Sequence, residues 1–169
     1  MVTMTGPFGG ALETLAILIA DTKAFRTWTG AADQAEALEH VHFFSDLGSN
    51  FVFPAVLLEI APGMRQEKVS ESGGGDFSPW PRGAVRLTFL QTWDTDYAKS
   101  AVQEYDPEQA AKDFIQNIEL TLTGMRTLSG TASYFSIGAL TMTDVPKTSS
   151  PTQGENDLYL SSTWELEVG

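Results

Sequence analysis

His40 and His42 are the only two histidines in the chain, and they stand two residues apart. On an extended segment that spacing puts both imidazoles on one face. With Glu39 or Asp46 close by in sequence, the pair has the residue types a transition metal takes. A third ligand at a telling distance is missing, and histidines that pack or sit at the surface are the simpler reading. Gly73, Gly74 and Gly75 form the longest glycine run, but no Lys-Ser or Lys-Thr follows and no helix pattern begins there, as a phosphate cradle requires. Nucleophilic catalysis has little to build on: Gly-x-Ser-x-Gly does not occur, and a triad would have to draw its base from that single histidine pair. Asp94, Asp96, Glu104, Asp106 and Glu108 cluster without the spacing of a calcium loop and read as a solvated acidic rim. The chain is therefore expected to be non-enzymatic, with no metal and no cofactor.

Whatever it does must then come from its surfaces and from the elements that shape them. Residues 106–130, DPEQAAKDFIQNIELTLTGMRTLSG, carry the clearest helix signals. Asp106 suits the N-cap, Pro107 the first helical position, Gln109 the return bond of a capping box, and Gly130 the C′ position. Ala111, Phe114, Ile115, Ile118, Leu122 and Met125 recur at three- and four-residue steps and form one apolar face, so this is expected to be the core helix.

The other elements follow from period and punctuation. Residues 1–10 hold Gly6, Pro7, Gly9 and Gly10 without a pattern and read as a flexible arm. A broad apolar surface over 11–29, with Phe25 and Trp28 near its end, predicts one helix stopped by Gly30; Asp33 and Glu36 then have capping-box spacing for a short second helix that merges into Val41-His42-Phe43-Phe44. FVFPAVLLEI at 51–60 reads as a strand buried on both sides, with Pro54 arguing for an edge or a bulge. Residues 63–83 are expected to form a long mobile loop, with Phe77 and Trp80 as large aromatics at its tip. Alternation predicts strands at 84–93 and 134–143, a polar connection at 145–157, and a last strand with Leu158, Leu160, Trp164, Leu166 and Val168 on one face. The fold class is thus α+β: one domain over 1–169, with an antiparallel or mixed sheet of about four to five strands covered by two or three helices.

Composition narrows the partners. At 169 residues with 42% hydrophobic content the chain can bury a substantial core as one domain. Ten basic residues against twenty-two acidic ones leave a net charge of −12, which repels a nucleic-acid backbone and excludes a DNA reader. With no cysteines there are no disulfides or thiolate metal sites. The apolar run 15–20 follows Glu13 with no basic residue before it, so neither a secretory signal nor a membrane span is expected, and a cytosolic address is the default.

The order of elements and several local stretches resemble the tail-terminator or tail-completion proteins of long-tailed bacteriophages, the class that includes minor tail protein U. The resemblance runs through AFRTWTG at 24–30, DQAEALEHVH at 33–42, FVFPAVLLEI at 51–60, the alternating strand 84–93, AKDFIQNIEL at 111–120 and YLSSTWELEV at 159–168. It implies a non-enzymatic virion structural protein: a homo-oligomer, usually a hexameric ring, that caps the tail tube, halts its growth and offers a head-tail joining platform. The partners it implies are further copies of the chain, the tail tube protein and a head-side connector protein. DNA would pass through the lumen without specific binding, and assembly would take place in the host cytoplasm. Each subunit of a closed ring needs two different complementary patches. Phe77, Trp80 and Arg82 in the loop and Phe8 in the arm are the candidates for such an oligomer or partner interface. An alternative from another class is a small ligand- or carbohydrate-binding module, in which Trp80, Tyr97 and Tyr159 would stack on a sugar face. A metal-dependent hydrolase around His40, His42 and Asp46 is a third.

Overall fold

The computed structural model describes residues 6–43, 52–65, 82–92, 107–129, 137–149 and 159–168. Helices α1 (Gly6–Asp21), α2 (Lys23–Thr29) and α3 (Gln34–Leu38) come first, then strands β1 (Val41–Phe43), β2 (Ala55–Ile60) and β3 (Gly83–Thr92). Helix α4 (Pro107–Ser129) and strands β4 (Ile137–Ser149) and β5 (Tyr159–Val168) complete the order. The strands form one mixed sheet in the order β1-β2-β3-β5-β4. β1 runs parallel to β2, and every other neighbouring pair is antiparallel. The fold is α+β, as the alternating and helical periods predict.

Register fixes which side chains meet. Val56 lies opposite Phe89, Leu58 opposite Leu87, Leu87 opposite Trp164, and Val85 opposite Leu166. All of these are buried, so the row forms one apolar face. The helices lie over it: Leu15 and Ile19 of α1, Phe25 of α2, and Phe114, Ile118, Leu122 and Met125 of α4 share a single core with those strand residues. Ile115 is only half-buried, at the shoulder of the α4 stripe. Trp28 knits three elements together, stacked on Phe89 at 6.1 Å and edge-on to Phe25 at 6.2 Å and Phe114 at 5.9 Å. Ser162, buried in the same row, accepts the Trp164 indole N–H at 3.0 Å and so satisfies the one polar group that residue brings into the core.

Several expectations are corrected. The helix foreseen over 11–29 is two helices, broken at Thr22, whose hydroxyl accepts from the Phe25 N–H at 3.3 Å and donates to the Ile19 carbonyl at 2.8 Å. α1 already begins at Gly6, so the second half of the supposed arm is helical and carries half-buried Phe8 in its first turns. Proline is tolerated in a first turn, and the apolar contacts of Leu12 and Leu15 outweigh the cost of Gly9 and Gly10, roughly 1 kcal/mol each. Gly30 stops α2 as foreseen, in a left-handed conformation with φ 75°. The short second helix ends at Leu38, and Val41 to Phe43 form a strand in their own right.

β2 is an interior strand, and Pro54 precedes it, so no donor is lost from the ladder. β4 runs on to Ser149 through Val145 and Pro146, residues assigned above to a polar connection; as an edge strand it tolerates proline, and its register shifts at three places. Of the loop placed at 63–83, residues 63–65 and 82–83 are described, and Arg65 and Arg82 exchange backbone hydrogen bonds of 2.8 and 2.7 Å at its base. Residues 66–81, with Phe77 and Trp80, lie outside the described residues, as do Asp106 and Gly130 at the two ends of α4.

Candidate functional site

The histidine pair resolves into packing. His40 and His42 are both buried. His40 Nδ1 lies 2.7 Å from the Pro54 carbonyl oxygen, and because a carbonyl only accepts, Nδ1 carries the hydrogen. That bond ties the entry of β1 to the residue before β2. His42, opposite Leu57, points to the side of the sheet away from the helices, since Val41 and Phe43 occupy the core side. No group of three or more His, Asp or Glu among the described residues is placed to share a metal ion. Of the acidic cluster, Asp94, Asp96, Glu104 and Asp106 lie outside the described residues. So do Trp80 and Tyr97, named above for sugar stacking.

Of the interface candidates, Arg82 is exposed just before β3 and Phe8 is half-buried in α1. Gly83, next to Arg82, has φ 143°, and a side chain there would place its Cβ 2.7 Å from the Met64 Cα. Only glycine fits this close approach, which fixes how Arg82 leaves the sheet.

Two features that the sequence does not single out stand out in the structure. The first is a groove of about 400 Å³ lined by Lys23, Arg26, Thr27, Gly30, Ala31 and Ala32. Phe25 and Trp28 turn one side of α2 to the core, and at helical spacing Lys23, Arg26, Thr27 and Gly30 fall on the other. Two cations and no carboxylate line it. The nearby carboxylates are engaged in local hydrogen bonds: Asp21 accepts from the Gln34 amide at 2.7 Å, Asp33 from the Glu36 N–H at 3.0 Å, and Glu36 from the Ala32 N–H at 2.6 Å. The last two make a variant of the capping box in which Glu36 reaches one residue beyond the N-cap. The helical spacing of Lys23, Arg26 and Thr27 just before the stop at Gly30 is shared by any solvated helix face and does not mark the groove in the sequence.

The second feature is the sheet face opposite the core. Glu59, Arg86 and Glu165 stand in one cross-strand row on β2, β3 and β5, with Glu167 two residues further on the same face. The Arg86 guanidinium reaches Glu165 at 3.3 Å, and both side chains are about one third exposed. The neighbouring row is neutral, with the Thr88 and Thr163 hydroxyls 3.2 Å apart. Glu59, Glu165 and Glu167 thus share one end of this face with Arg86, and the bridged pair Arg65 and Arg82 stands at the same end of the sheet.

A scan against protein-family models and a search of curated proteins gave no match. No helix among the described residues is long and apolar enough to cross a membrane.

Proposed function

We propose that the chain is a non-enzymatic assembly protein of a phage or prophage virion, a ring-forming subunit that caps the tail tube and provides the platform for head-tail joining. The order of elements carries this reading. A helical segment ends in the Phe25–Trp28 aromatic pair at Gly30. A short helix, the brief strand β1, an apolar strand, an alternating strand, a long helix and a closing antiparallel β4–β5 pair come next, an order that resembles the pattern of the tail-terminator class.

Two further observations support it. The two edges of the sheet differ, a three-residue β1 on one side and a thirteen-residue β4 on the other, as suits a subunit whose contacts are head-to-tail. The net charge of −12 suits a conduit through which DNA passes without sticking. The partners are further copies of the chain, the tail tube protein and a head-side connector, and the place is the tail end of the virion.

The test is native mass by light scattering after size exclusion, at low and moderate salt. Screening self-repulsion should favour a closed oligomer, read as a mass near six subunits or a shift towards it with salt or concentration. A monomer under every condition, with no effect on tube length when the protein is added to polymerising tube subunits, overturns the proposal.

A further inference from the structure

We draw no further inference here: the strongest candidate, the outer edge of β4 from Ile137 to Thr143, which has no charged residue or proline and exposes Met142, carries none because register shifts interrupt its ladder and nothing in the structure shows which strand would pair with it.

Discussion

The Trp28 indole N–H donates to the Gln91 side-chain oxygen at 3.0 Å, across sixty-three residues of sequence, and so fastens the end of α2 to the end of β3. Gln91 continues the core-facing row of Val85, Leu87 and Phe89 past its apolar part, and it offers a polar atom where the indole needs one. Trp28→Phe keeps most of the ring contacts and loses this bond, so it should cost about 1 kcal/mol. Trp28→Ala also removes the contacts with Phe25, Phe89 and Phe114 and should cost about 3 kcal/mol, a fall in midpoint temperature of roughly 6–12 °C. Urea and thermal denaturation of both variants measure this, and equal losses for the two would show that the ring contacts contribute little.

Gly83 should accept no other residue. Its φ of 143° belongs to glycine, and a Cβ would lie 2.7 Å from Met64 Cα, a backbone atom that cannot swing aside as a side-chain tip can. Gly83→Ala should therefore destabilise by about 2 kcal/mol or more, seen as a lower urea midpoint at unchanged slope. Gly10, with a helical backbone and nothing within 4 Å of where a Cβ would stand, makes the contrast. Gly10→Ala should be neutral or stabilising by up to about 1 kcal/mol.

The Arg86–Glu165 ion pair should contribute little to folding. Both side chains are about one third exposed and the contact is a single 3.3 Å bond, so solvent screens most of the attraction. A double-mutant cycle with Arg86→Ala and Glu165→Ala should return a coupling below about 1 kcal/mol, shrinking further in high salt. A coupling several times larger would mean that this face is shielded from water.

How far the fold was legible depends on element length and period. α4, β3 and β5 are long and strongly periodic, and Phe114, Ile118, Leu122, Met125, Val85, Leu87, Leu160 and Trp164 all lie where their spacing places them. β1 escaped because three residues show no period, and its parallel pairing with β2 is a tertiary contact that local sequence does not encode. The break at Thr22 escaped because the apolar surface continues from Ile19 to Phe25 across it; the only sign was a threonine able to cap a new helix. β4 ran longer than expected because Pro146 reads as a breaker in general but is permitted on an edge. The groove was illegible for a simpler reason. Lys23 and Arg26 look like an ordinary solvated helix face until the turn at Gly30 folds Ala31 and Ala32 back beside them.

β3 and β4 never touch as neighbours in the sheet, and β5 alone joins them. Of the described strands it is also the last to leave the ribosome. Until it arrives, β3 and β4 would each lack a neighbour, leaving an open edge on both where the missing strand belongs. Closure of the sheet is thus a late event with non-local pairing, the slow kind of step, and during that interval α4 has only half its floor to cover. The chain would be most exposed to wrong pairing then, and β4's repeated register shifts make it a poor template for any strand other than β5.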